Sequence, residues 1–251
     1  MRHDELLQPA SGDELRAATI DRVRWIVVDR PARRNAWTFA MAEQLAAELD
    51  RASADPDVAV VVIAGAAGTF SAGLDKAELA KGMNRKSPFP VELLMRFPKA
   101  TIACVDGAAF GGGATMAMAC DLRVVSARGT LSFALGRLGL TPEWGSSYLL
   151  WRQIGWSRTL DLYLTGRTID AAEAQRLGLA DRVAAPEAVV TETQSLATDI
   201  SALPDGVAGA IKAVLWSGLE ADGLEAARAV ELRALAQQGE VLRQRMTERP
   251  K

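Results

Sequence analysis

Two glycine-containing loops hold the residues whose arrangement could do chemistry. Residues 70–75 read FSAGLD and residues 107–114 read GAAFGGGA; each follows an apolar run, and the second leads into the helical run TMAMAC. Successive glycines at a helix start expose backbone N–H groups and admit a ligand close to the main chain, where the helix dipole favours negative charge. A further N–H from the FSAGLD loop would complete a two-donor oxyanion hole for the charge that develops on a carbonyl oxygen. Losing one donor of such a pair typically costs roughly 100- to 1,000-fold in rate. Two tight turns are the alternative reading of the same residues. Nucleotide-phosphate binding fits neither loop: there is no GxGxxG, and the GxxxxGG spacing from Gly107 lacks the lysine and hydroxyl of a phosphate-binding loop.

Composition narrows the chemistry further. The only histidine, His3, lies in a polar N-terminal stretch that reads as a loose tail. Ser-His-Asp and Cys-His catalysis need an imidazole in the pocket, and most zinc or iron sites use one as a ligand, so those classes drop out. Cys104 and Cys120 lie in apolar runs and read as reduced core thiols, since a chain this large rarely needs a disulfide. Lysine and arginine total 29 against 31 acidic residues, and contiguous cations occur only in pairs such as Arg33–Arg34. That pattern argues against an extended nucleic-acid surface, while a small phosphorylated ligand needs only a few cations. With 49% hydrophobic and 24% charged residues, the 251-residue chain is expected to be globular, as one large domain or one domain with an appendage. No run approaches the roughly 18 apolar residues of a membrane span and no basic-then-apolar leader is visible, so the expectation is a cytoplasmic protein without membrane association.

The elements that must position the loops follow from periodicity. Residues 18–30 read as a strand ending at Pro31, and Thr38 as the N-cap of a helix to about Ala52, with Met41, Leu45 and Leu49 on one face. Residues 58–64, 101–105 and 121–127 are apolar strands with helix-period segments between them, an α/β pattern. From about Pro186 the strands stop, leaving helical stretches at 186–203, 207–219 and 224–246. The last carries a partly apolar stripe, Leu224, Ala227, Glu231 and Leu235, which suits a solvated helix or one docked on a neighbouring subunit; the second is expected, because a helical tail without a sheet must bury its apolar face somewhere. The expected division is a tail over 1–17, an α/β core over 18–185 and a helical oligomerisation region over 186–251.

Taken together, the segments RPARRNAW, FSAGLD, VDGAAFGGGATMAMACDLRVVSA, GLTPEWGSS and LTGRTIDAAEAQRLGLADRV, in that order over about 23–183, resemble the crotonase superfamily, the enoyl-CoA hydratase/isomerase family. The resemblance implies an α/β spiral of β-β-α turns, a C-terminal helical region that forms homotrimers or homohexamers, and an acyl-CoA thioester ligand. Coenzyme A is then part of the substrate, with no separate cofactor or metal. The resemblance puts the oxyanion donors on the N–H groups of Leu74, which follows Gly73, and Gly112, which follows Gly111. It also brings the Ala72 backbone to the adenine end, with Asp75 completing the AGxD loop. Arg33 and Arg34 fall near the CoA phosphates, a solvated surface pair being the alternative, and Lys212 reaches CoA across a subunit boundary. Lys76, Lys81, Arg85 and Lys86 border the expected entrance in a segment whose Gly82 and Pro88 suggest a mobile loop.

Within that family, hydratases use two glutamates at positions that carry Thr115 and Leu135 here, and neither residue can act as general acid or base at neutral pH. Glu143 directly follows Pro142, and this segment is similar to that of Δ3,Δ2-enoyl-CoA isomerases, where the acid after the proline moves the proton. One carboxylate suffices for that reaction: it removes a proton from C2 of a 3-enoyl thioester, the oxyanion hole holds the dienolate, and the same group returns the proton at C4. A glutamate merely favoured by a helix N-terminus is the alternative. Trp144, Tyr148 and Trp151 fall at i, i+4 and i+7 and read as one aromatic face, with Trp144 a wall of the acyl pocket. Ser146 and Ser147, lacking a histidine, read as capping or pocket hydroxyls. The expected function is enoyl-CoA isomerisation; the alternatives are hydration, decarboxylation or carbon–carbon cleavage on the same oxyanion hole, and a catalytically silent acyl-CoA-binding protein.

Overall fold

The computed structural model describes residues 5–9, 14–80 and 91–248, in an α/β architecture. Residues up to Ala202 form one compact unit and those from Leu203 a second. In the first unit, β1 (Leu15–Ile20), β2 (Val23–Val28), β3 (Val60–Gly65), β5 (Ala100–Val105), β7 (Leu122–Ser126) and β10 (Arg182–Ala184) lie side by side in that order in a six-stranded sheet. A second sheet orders β4 (Thr69–Ser71), β6 (Ala108–Phe110), β8 (Thr130–Ser132) and β9 (Thr168–Asp170). Strands β2, β3, β5, β7 and β10 are mutually parallel, and each of β3, β5 and β7 is followed at once by a short strand of the other sheet. Every turn of the chain thus advances both sheets by one strand, the expected spiral.

Burial explains the apolar runs. All six residues of β3 are buried, because the strand is covered on both faces. The helices of this unit are α1 (Phe39–Ala54), α2 (Lys76–Ala80), α3 (Val91–Met95), α4 (Gly112–Ala119), α5 (Ser146–Ile154), α6 (Trp156–Thr165), α7 (Ala171–Leu177) and α8 (Val189–Ser201). Helix α1 starts as its sequence predicts, with the Thr38 side chain accepting from the Met41 N–H and Met41, Leu45 and Leu49 buried.

Three expectations are corrected. Residues 18–30 do not form one strand: β1 and β2 make an antiparallel hairpin through Asp21 and Arg22, both left-handed at φ 47° and 66°. Positive φ at both turn residues matches the twist of the paired strands, but the Asp-Arg dipeptide is not the Asn-Gly type of signal that announces such a turn. The stretch before residue 18 is not wholly a loose tail, since β1 begins at Leu15 and Leu6 is buried in the core beside Val23 and Trp25; His3 lies outside the described residues. The helical stretch after Pro186 does not all leave the sheet. Helix α8 seats Val189, Leu196 and Ala197 in the core with Val62, Ile102 and Val124, and its Gln194 Oε1 accepts from Trp25 Nε1 at 2.8 Å. An amphipathic helix covers a sheet face here, so the compact unit closes at Ala202.

The second unit holds α9 (Val207–Glu220) and α10 (Leu224–Glu248), which pack together. Between them runs an apolar groove of about 300 Å3, lined by Ala210, Ile211, Val214, Leu215, Ala234 and Leu235, with Glu231 at its side.

Candidate active site

Strand β4 delivers the FSAGLD loop. Ser71 Oγ accepts from the Gly73 N–H at 3.0 Å, and Leu74 forms a single-residue parallel bridge with Trp37. The bridge uses Gly73 O as acceptor from Trp37 N and Trp37 O as acceptor from Asp75 N, both at 2.8 Å. Backbone polarity alternates along an extended segment, so the Leu74 N–H points away from Trp37 and has no hydrogen-bond partner among the described residues.

Strand β6 delivers the glycine triplet, and each glycine answers a different demand. Gly111, the N-cap of α4, has φ 52° and ψ −122°, a conformation that a side chain resists. At Gly113 a Cβ would lie 2.5 Å from Ser71 O, so the triplet and the FSAGLD loop touch main chain to main chain. At Gly112 a Cβ would lie 1.6 Å from the indole of Trp144, so that ring occupies the space a side chain would need. A Cβ on Gly73 would come within 3.1 Å of Gly112 N. The loops carrying Leu74 and Gly112 are therefore in contact, and the Gly112 N–H, at the first position of α4, is an orphan donor of the helix N-terminus.

Glu143 reaches this region through its neighbour, Trp144. The Glu143 carbonyl accepts from Ser146 N at 3.0 Å and from Ser146 Oγ at 2.7 Å, which caps the turn into α5 and gives the buried Ser146 its expected capping role. Its half-buried carboxylate has no hydrogen bond or ion pair with a described residue, and desolvation pushes its pKa above the ordinary glutamate value. Trp144 and Gly145 are both left-handed, at φ 57° and 80°. That break in helical phase corrects the expected aromatic face: Trp144 turns onto Gly112, whereas the Tyr148 and Trp151 rings hold the Arg152 guanidinium, its carbon 3.6 Å and 4.3 Å from the ring centroids.

The two positions where glutamates are absent also border the triplet. Thr115 is buried on α4, and among the described residues its hydroxyl makes only a long 3.4 Å contact to Gly111 O. Leu135, in a 3-10 turn over Ala134–Leu138, brings Cδ2 to 3.7 Å from where a Gly111 Cβ would be.

The cations singled out from the sequence are dispersed. Arg33 and Arg34 are exposed, and Arg34 O accepts from Ala72 N at 2.9 Å, so the pair stands directly beside the FSAGLD loop. Asp75 is engaged within the fold. Its Oδ1 accepts from Ala77 N at 2.9 Å, its Oδ2 from Arg30 at 3.1 Å, and the Ala77 bond, then Arg30 and Arg33, hold its carboxyl below the usual range against the opposing effect of burial. Lys76 is exposed at the start of α2; Lys81, Arg85 and Lys86 lie outside the described residues. Lys212 is on α9 in the second unit.

Asn35 was not singled out from sequence. Fully buried, it donates from Nδ2 to Ala66 O at 2.8 Å and Thr69 O at 2.6 Å, and accepts at Oδ1 from Arg30 N at 2.9 Å. One amide thus ties the RPARRNAW segment to the β3–β4 corner. Its left-handed φ of 55° is a conformation in which asparagine is enriched, and that is the signal that could have found it.

Comparison with known proteins accords with this architecture. The family model described as enoyl-CoA hydratase/isomerase matches residues 19–248. A probable enoyl-CoA hydratase of Mycobacterium tuberculosis is 36% identical over 186 residues, 72% of each chain. The crystal structure of a probable enoyl-CoA hydratase/isomerase from Mycobacterium abscessus superposes with a TM-score of 0.81 at 33% identity, covering 90% of both chains. A putative enoyl-CoA hydratase from Thermobifida fusca, solved in complex with CoA, gives 0.78 at 32% identity over 92% of this chain and 95% of that one. With the two-sheet spiral and the paired glycine loops already in place, these matches show that the chain belongs to the enoyl-CoA hydratase/isomerase family.

Proposed function

We propose that the protein isomerises a 3-enoyl-CoA to a 2-enoyl-CoA, with Glu143 as the single base and the Leu74 and Gly112 N–H groups as the oxyanion hole. The observation that supports this reading is what borders the glycine triplet: Thr115 and Leu135 at Gly111 and the Trp144 indole at Gly112, with Glu143 the residue next to that tryptophan. Glu143 takes the C2 proton, the two N–H groups bear the charge that moves onto the thioester oxygen, and Glu143 returns the proton at C4 as the electron pair shifts. A carboxylate with a raised pKa is a stronger base than an ordinary one, and among the described residues no cation pairs with it.

CoA binding is supported by the CoA complex of the Thermobifida fusca relative. In this chain the CoA phosphates would meet Arg33 and Arg34, the adenine the Ala72 backbone, with Gly73 and Asp75 shaping that loop and Lys212 supplied across a subunit boundary. The apolar groove between α9 and α10 supports assembly into homotrimers or homohexamers, and no helix among the described residues is long and apolar enough to cross a membrane. The reading places the protein in the cytoplasm.

Hydration is the second reading, favoured by the hydratase names of the relatives. Against it stand Thr115 and Leu135, which supply no carboxylate to activate water. Incubating the purified protein with a short 3-enoyl-CoA and, separately, a 2-enoyl-CoA, while following absorbance, decides between them. Conversion of the first without hydration of the second is expected. Hydration of the 2-enoyl ester overturns the isomerase assignment, and inactivity on both leaves decarboxylation, carbon–carbon cleavage or silent binding.

A further inference from the structure

The glycine at position 112 has no conformational reason to be there. Its φ lies outside the positive range recorded for Gly111 and Gly73, so any residue could adopt its backbone. What excludes a side chain is Trp144: three carbons of the indole six-membered ring lie 1.6, 2.2 and 2.4 Å from the Cβ position. The residue that carries this indole is itself left-handed, at φ 57°, a conformation uncommon for a bulky residue. A strained backbone that drives a large flat side chain onto one backbone atom of the candidate site points to a use for the contact.

We propose that Trp144 sets acyl selectivity, admitting acyl groups that are unbranched at C2 and rejecting those with a C2 substituent. This deepens the reading above and rests on its placement of the thioester oxygen at the Gly112 N–H. Carbon 2 is one bond beyond the thioester carbon, so an oxygen held by that N–H brings C2 within a few ångströms of the Gly112 Cα and of the ring lodged against it. A flat enoyl or dienolate segment lies along an aromatic ring without loss of contact. A methyl on C2 must find room beside the indole lodged on Gly112, next to a Gly111 that Leu135 and the Thr115 hydroxyl already border. Glu143 is covalently adjacent to Trp144, so the same turn that aims the base sets the width of the slot.

The test uses unreactive thioesters, so that binding is read apart from turnover. Calorimetry on the purified protein with hexanoyl-CoA and 2-methylhexanoyl-CoA should give a Kd about 10- to 100-fold lower for the unbranched ester, the range one misfitting methyl group commands in a tight pocket. Trp144→Gly, which also relieves the left-handed strain, should reduce the ratio to less than about 3-fold, chiefly by tightening the branched ester, while Trp144→Phe should keep most of it. Equal affinities in the wild type, an unchanged ratio in Trp144→Gly, or failure of the unbranched ester to bind overturns the proposal. A thermal cycle checks the geometry independently: Gly112→Ala should lower Tm by at least several degrees in the wild type and by little in Trp144→Gly, and equal losses in both backgrounds contradict the contact. Discriminating binding without isomerisation sinks the isomerase reading and leaves selectivity standing; isomerisation with indiscriminate binding does the reverse.

Discussion

The two glycine loops and the turn at residues 142–145 are built by opposite means, although both contribute to one site. The loops are main chain locked to main chain: Ser71, Gly73, Gly112 and Gly113 approach so closely that added methyl groups would overlap backbone atoms or the indole. The turn is a short, half-exposed link with two consecutive left-handed residues, and its chemistry sits on one side chain. Charge stabilisation is thus assigned to groups that side-chain substitution cannot delete, and proton transfer to a group that a single substitution removes. Under the proposed reading, the choice of reaction rests with the turn and with positions 115 and 135.

The contrast can be broken at either end, and the largest effect is expected at the turn. Glu143→Gln keeps the shape and removes the base, so kcat for a 3-enoyl-CoA should fall roughly 100- to 10,000-fold while affinity for a CoA ester stays nearly constant. Near-wild-type turnover would mean that the assigned base is wrong. In the loops the loss should be of stability. Asn35→Ala leaves one buried and one partly buried carbonyl without their donor and should cost about 2–3 kcal/mol, read as a lower urea midpoint with unchanged m-value. Gly113→Ala forces a methyl toward the Ser71 carbonyl and should cost about 1–3 kcal/mol by the same measurement.

A pH profile sharpens the comparison without mutation. A base must be ionised, and desolvation raises the Glu143 pKa, so kcat should decline on the acid side with a midpoint above that of an ordinary glutamate; Glu143→Gln should abolish that limb. The sign for stability is opposite to that of a paired carboxylate. A raised folded pKa means the protonated form is favoured by the fold, so this contribution is fully present below the unfolded value and is lost as pH rises through the folded one. The smallest effect belongs to Thr115→Ala, where isomerisation should stay within about 3-fold, because its hydroxyl makes one long contact and carries no proton in the reaction.

Much of this could be read from the residues. The apolar runs at β3, β5 and β7 and the Thr38 cap declare themselves because burial on both faces and a helix start each impose a local residue pattern. The turn at Asp21 and Arg22 did not, since tertiary pairing there holds residues with weak turn preference. Likewise, the place of α8 against the sheet depends on which face of the sheet is open, a fact no helical period contains. The pairing of Gly112 with Trp144 is invisible for the same reason: 32 positions apart, neither residue's surroundings signal the other. Asn35 was missed because a lone asparagine in a basic segment looks like a turn residue until its three partners are seen.

The Trp37–Leu74 bridge bears on how the molecule breathes. Bonds from Trp37 N to Gly73 O, Asp75 N to Trp37 O and Ala72 N to Arg34 O stitch two segments nearly forty residues apart, and Asn35 fastens one of them to the β3–β4 corner. These three amide protons therefore belong to a single opening event. In deuterated buffer they should show one common opening free energy once each amide's intrinsic exchange rate is divided out, so that the residues flanking the Leu74 donor come undone together or not at all.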